Sequence, residues 1–155
     1  MDPIDDQILD LLQRDARTTQ QELARKVGLS QPSVADRIRK LEEAGVITGY
    51  VARVNPRKLG KDITAFIGVG IEHPKFFESF AKKVLGNPEV LECHRVVGQD
   101  SYLLKVRTAN TESLDRLLVG ELRTIAGVTR THTTIVLASV KEELHITASR
   151  KEAAP

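Results

Sequence analysis

The sequence predicts an α+β chain: three helices first, then a unit built from four strands and two helices. Three observations carry this. Helix-capping residues at Asp2, Thr19 and Ser30 precede apolar residues spaced three and four apart. Gly28-Leu29-Ser30 makes a tight, glycine-containing link between the second and third helices. Past residue 55 the apolar spacing shifts to alternation, with β-branched residues prominent.

In the first helix, Asp2 precedes Pro3, which suits the first helical position, and Ile4, Ile8, Leu11 and Leu12 form one stripe. Thr19-Gln20-Gln21-Glu22 is a reciprocal capping pattern that starts the second helix. Leu23, Ala24 and Val27 face inward, and Gly28 ends it. The third helix starts at Ser30 and tolerates Pro32 in its first turn. Val34, Ile38 and Leu41 share one face, and Gly45 can turn left-handed after the last turn with Val46 closing over it.

Tyr50 to Val54 reads as a short strand, and Asn55-Pro56 with Lys58 to Lys61 as a connector. Ile63 to Ile71 then reads as a strand, Phe76 to Leu85 as a helix, and Val90 to Val97 and Tyr102 to Val106 as strands. Gly98-Gln99-Asp100-Ser101 between them is compatible with a hairpin. A helix over Leu114 to Ile125, stopped at Gly127, and a strand over Thr131 to Val140 complete the order. Strand-helix-strand-strand-helix-strand is the ferredoxin-like βαββαβ arrangement. The last strand is expected to be mostly apolar on alternation, consistent with a dimer built face to face. The implied organisation is a helix-turn-helix domain over 2–49, a strand and linker over 50–61, a ferredoxin-like domain over 62–141 and a tail over 142–155.

Composition narrows the function classes. Apolar residues make up 41% and charged residues 28%, which fits a folded chain. Two small units would each have a thin core and would lean on a partner subunit. Cys93 is the single cysteine, so neither an internal disulfide nor a cysteine-pair zinc site is available. The acidic start Met1-Asp2-Pro3-Ile4-Asp5-Asp6 lacks the features of a signal peptide, and apolar runs are short, so a cytoplasmic protein is expected. The net charge of +2 says little by itself. Its distribution says more: Arg14, Arg17, Arg25, Lys26, Arg37, Arg39 and Lys40 face only Asp15, Glu22 and Asp36 between residues 14 and 40, whereas the chain from Lys61 on is nearly balanced.

Three-helix units also occur as plain structural modules. The glycine turn, the two-faced third helix and the short polar residues at its start favour DNA. Ser30, Gln31 and Ser33 sit where such a helix reaches base edges, and its free backbone N–H groups suit a phosphate. Ser33, Asp36, Arg37 and Lys40 are expected to point away from the buried face, with Arg39 at the flank. Gln31, Ser33 and Arg37 are the candidates for base edges, glutamine matching adenine and arginine guanine. Arg25, Lys26, Arg39 and Lys40 are the candidates for phosphate contacts. Asp36 can accept from a cytosine amino group or pair with Lys40 at i,i+4, the latter being favoured. Arg53, Arg57 and Lys58 fit either flanking phosphate or a solvated connector.

No site for catalysis assembles. His73, His94, His132 and His145 show no zinc-ligand spacing. His94 and Cys93 are strand neighbours pointing to opposite faces. Gly68 and Gly70 form a GxG on a strand, without the third glycine and following helix of a dinucleotide loop. An enzyme and a metal or other cofactor are therefore not expected.

LARKVGLS, followed by RIRKLEEAGVI, and later VVGQDSYLLKV and AGVTRTHTTIVLASVK, resemble the Lrp/AsnC family of transcription regulators over about residues 2 to 141. The resemblance implies a DNA-binding unit and a hinge strand at Tyr50 to Val54. It also implies a C-terminal domain that makes dimers, often octamers, and binds a small effector, usually an amino acid, at subunit interfaces. By the same resemblance Gly98, Gln99, Asp100, Ser101 and Tyr102 would line the effector site, with Thr131 and Thr133 near it. One position departs from the family pattern: Ser101 stands where an aspartate is usual, with Asp100 one residue earlier. A serine hydroxyl makes no charge-assisted bond to an ammonium group. A plain solvent-facing hairpin turn is the alternative for this loop.

The function expected is thus a sequence-specific transcriptional regulator answering to an amino acid or similar effector. The alternatives are a nucleoid-associated architectural protein with little sequence preference, or a metabolite-binding or enzymatic domain with a helical appendage.

Overall fold

The computed structural model describes residues 1–148; the far end of the expected tail, 149–155, lies outside the described residues. The chain forms two compact units, one from Met1–Arg53 with the segment beginning at Lys141, the other from Val54–Val140.

The first unit holds α1 (Pro3–Arg14), α2 (Gln20–Val27) and α3 (Gln31–Glu43). The predicted caps all form. Thr19 and Glu22 exchange side-chain and backbone bonds, and Gly28 takes φ 71° to end α2. Asp2 caps α1 and, with Asp5, makes a second reciprocal box. The core joins Ile8, Leu23, Ala24, Val34 and Ile38, with Ile4, Leu11, Leu12, Val27, Leu29 and Ile47 packed around it. After α3, Ile47 reaches this core while Val46 stays 43% exposed. The closing residue is therefore one position later than expected.

Tyr50 to Val54 forms no strand. An extended segment becomes a strand only against a partner edge, and no described residue pairs with it. A 3₁₀ turn, Pro56–Leu59, follows.

The second unit holds β1 (Ile63–Ile71), α4 (Phe77–Leu85), β2 (Val90–Arg95), β3 (Tyr102–Thr108), α5 (Thr111–Asp115) and β4 (Val128–Ile135). The antiparallel sheet has the order β2-β3-β1-β4. Ala65, Ile67, Val69, Leu104 and Val106 pack against Phe80, Val84, Leu114, Leu117, Leu122 and Ile125. The helices cover one sheet face and leave the other open.

Several boundaries differ from expectation, each for a local reason. β4 ends at Ile135 because its antiparallel partner β1 begins beside it: Ala65 pairs with Ile135, and the Val136 amide donates to Thr64 as the last tie. Its register also corrects its expected apolar alternation. Arg130, His132 and Thr134 lie opposite Gly70, Gly68 and Phe66 on the open face, so β4 gives that face polar groups. Its exposed apolar residues include Phe66 and Leu103. The helix expected over Leu114 to Ile125 starts earlier, capped by Asn110, and passes from α5 into a π turn (Arg116–Glu121) and a 3₁₀ turn (Leu122–Thr124). Leu114, Leu117, Leu122 and Ile125 are all buried. The five-residue step from Leu117 to Leu122 fits a π turn and not an α turn.

Candidate DNA interface and effector site

The three-residue turn places the end of α2 next to the start of α3. Arg25 and Lys26 are exposed in the last turn of α2, and Ser30, Gln31 and Ser33 are exposed at the start of α3. The Ser30 hydroxyl accepts from the Ser33 amide at 3.3 Å and lies 2.8 Å from the Ser33 hydroxyl. Among the described residues, neither Arg25 nor Lys26 pairs with a carboxylate. The turn thus joins two exposed cations at the end of α2 to small polar groups at the N-terminus of a 13-residue helix. Such an arrangement can accept an anionic backbone and read base edges.

Farther along α3 the cations are engaged. Asp36 pairs with Lys40 at 2.7 Å and also with Arg39, which in turn holds Glu43 at 2.7 Å. Lys40 and then Arg39 hold the Asp36 carboxyl below its ordinary range. The i,i+4 pairing expected for Asp36 is therefore present. Arg39 and Lys40 are exposed, and a phosphate would compete with carboxylates for them.

Arg37 departs from expectation. Its guanidinium does not point outward; one nitrogen donates to Asp2 and to Asp5, each at 2.7 Å. Both carboxylates belong to the capping box of α1. The Asp2 carboxyl is held below its ordinary range first by the Asp5 amide and then by Arg37. Sequence reasoning missed this because the partners lie 35 and 32 residues away. The Asp-x-x-Asp spacing at Asp2 and Asp5 was the available signal.

The seven effector candidates do not converge on one surface of the unit. The Tyr102 ring is buried, 4.8 Å from the Phe80 ring centroid and edge-on to Phe77, so it supports the core. Ser101 fastens the loop: its amide donates to Val69 and its hydroxyl accepts from the Ile71 amide at 3.1 Å. Asp100 lies over Gly68 on the open sheet face, where an added Cβ would stand 2.1 Å from its carboxylate. Arg130, laid over Gly70, reaches the same carboxylate at 3.4 Å. The Gly68/Gly70 pair thus serves close approach of side chains. Gly98 and Gln99 are exposed at the loop tip. Thr131 and Thr133 pair with Val69 and Ile67, so they belong to the helix-covered face. The Thr131 hydroxyl accepts from Arg123 at 3.0 Å. Arg123 and Arg130 are the charged groups that sequence reasoning did not single out.

Among the described residues no cluster of metal-binding side chains occurs, and no helix is long and apolar enough to cross a membrane. Burial raises the Cys93 thiol above its ordinary range, away from reactivity.

Family models match the chain in two segments. A family model described as the Lrp/AsnC ligand binding domain matches residues 64–146, and one described as winged helix-turn-helix DNA-binding matches residues 1–48. The HTH-type transcriptional regulator YezC of Bacillus subtilis is 47% identical over 115 residues, covering 74% of this chain and 81% of that protein. The leucine-responsive regulatory protein of Escherichia coli is 38% identical over 144 residues, covering 92% of this chain and 88% of that protein. The crystal structure of a Neisseria meningitidis transcriptional regulator in complex with L-Met matches at TM-score 0.90 and 31% identity, covering 94% of this chain and 96% of that one.

Proposed function

The chain belongs to the Lrp/AsnC family of transcription regulators, and from that premise we propose how its parts divide the work. It is a sequence-specific DNA-binding regulator, and its family is one of regulators and not of enzymes. The observation that carries the reading is the surface formed by Ser30, Gln31 and Ser33 with Arg25 and Lys26, on a unit matched over residues 1–48 by a DNA-binding family. Gln31 and Ser33 read base edges. Arg25 and Lys26, with Arg39 and Lys40 after exchange of partners, hold phosphates. Arg37 holds α3 in place.

The effector is an amino acid or a close analogue. The L-Met complex of the Neisseria relative supports this. Asp100 of the loop and the Thr131/Thr133 pair lie on opposite faces of one sheet. A site that uses both draws on a second copy of the chain. The working form is a dimer, with an octamer as the higher assembly, acting in the cytoplasm where the DNA is. Two reading heads on a symmetric dimer would engage half-sites about one helical turn apart, or multiples of it.

Selection from a random duplex library, with and without a mixed amino-acid pool, tests the reading. Enrichment of a two-half-site sequence whose affinity changes with the pool is expected. Broad binding without enrichment would favour an architectural role.

A further inference from the structure

Both ends of the described chain contribute to the first unit. Past Val140, residues 142–148 run along the outer side of α1. Four polar contacts among the described residues help define their seat. The Gln13 side chain donates to the Ile146 carbonyl at 3.0 Å and accepts from the Ile146 amide at 2.7 Å. His145 meets the Asp10 carboxylate at 3.0 Å, an oxygen pair that Arg14 also holds at 2.9 Å. Arg53 donates to the Glu142 carbonyl at 2.6 Å.

The Gln13 contact has a specific chemistry. A primary amide presents one donor and one acceptor side by side, and here they satisfy both backbone groups of a single residue, as a neighbouring strand would. Asp10 and Gln13 share the stripe of α1 opposite Ile8, so the seat lies away from the face packed on α2 and α3. Leu144 and Ile146 stay largely exposed while lining a groove with Leu9, Leu12 and Val46, so apolar burial adds little to the polar contacts. Exposed hydrogen bonds of this kind are individually weak. The segment therefore docks and releases readily.

We propose that residues 142–148 are a reversible latch on α1, with Gln13 as its receptor. The inference rests on the regulator reading for its consequence. The chain passes between its two units at Arg53 and again at Val140. With the latch docked, the chain is tied to the first unit at both crossings. With it released, only the first crossing tethers the reading head. A tighter tether narrows the separations at which two heads bind together, because simultaneous engagement depends on tether length and stiffness. The latch sets how strictly half-site spacing is read, and leaves base reading by α3 alone.

The test is hydrogen exchange on the full chain over peptides spanning 142–148, comparing the natural sequence with Gln13→Glu and Gln13→Ala. Glutamate removes the donor and sets a carboxylate against the Ile146 carbonyl; alanine removes both bonds and keeps a good helix former. Both variants are expected to exchange about tenfold faster over 142–148, with the α1–α3 amides unchanged. Exchange at random-coil rates in the natural sequence, or equal rates in all three proteins, would overturn the latch. In a second arm, duplexes with the half-site separation changed by half a turn should bind the variants with less discrimination than the natural sequence. An unchanged spacing profile would overturn the consequence. If no duplex binds, the regulator reading fails while the exchange arm still decides the latch.

Discussion

The Arg37 guanidinium and the Asp5 carboxylate, distant in sequence, meet at 2.7 Å and tie the middle of α3 to the start of α1. Asp2 closes the same nitrogen from the other side at 2.7 Å. A residue on α3 is thereby committed to a partly buried ion cluster with α1. Arg37→Ala is expected to lower the melting temperature and to weaken operator and random-sequence binding alike. A double-mutant cycle with Asp5→Asn should give losses smaller in combination than their sum. Loss confined to operator binding, with unchanged melting, would return Arg37 to the base edges.

The same contact predicts a pH dependence. The Asp2 carboxyl is held below its ordinary value in the folded unit, because the Asp5 amide and then Arg37 favour its charged form. Its contribution is therefore complete at pH values well above the ordinary aspartate range, and is lost as pH falls through that range and the lowered value. Asp2→Asn should flatten the acid limb of the stability curve of this unit. An acid limb identical in the variant would contradict the clamp.

On the outer surface of the unit, the roles separate by salt dependence. Gln31→Ala is expected to reduce discrimination between operator and mismatched sites by about 1–3 kcal/mol, with little change in the salt slope. Arg25→Ala or Lys26→Ala should weaken all duplexes and reduce the slope of log affinity against log salt by about one each. Filter binding at several salt concentrations distinguishes the two patterns. A Gln31→Ala variant that loses affinity equally on every sequence would remove it from the base edges.

In the second unit, Gly68→Ala is expected to cost about 1–3 kcal/mol, since its Cβ would displace the Asp100 carboxylate and with it the contact to Arg130. Titration calorimetry with a panel of amino acids should then show weakened binding relative to the natural sequence. Unchanged melting and unchanged ligand binding together would show that the Asp100–Arg130 arrangement bears on neither.

The features legible in the sequence were those decided by neighbours along the chain. Thr19 and Glu22 are three residues apart, Gly28 needs a left-handed turn, and Ile63 to Ile71 alternates, so caps, turn and first strand were all readable. What was missed depends on distant partners. Arg37 looks like an outward cation until Asp2 and Asp5 fold against it. The end of β4 is decided by where β1 begins, and Tyr50 to Val54 has no partner edge within the described chain. The resemblance gathered the effector candidates as one set, whereas sheet register divides them, placing Thr131 and Thr133 across the sheet from Asp100.

Sequence-specific reading is measured most directly by the ratio of affinities for a selected operator and for a shuffled duplex of equal length and composition, at physiological salt. A ratio of about a thousand or more is expected, falling when Gln31 and Ser33 are replaced together. Equal affinities for the two duplexes, unchanged by those replacements, would contradict it.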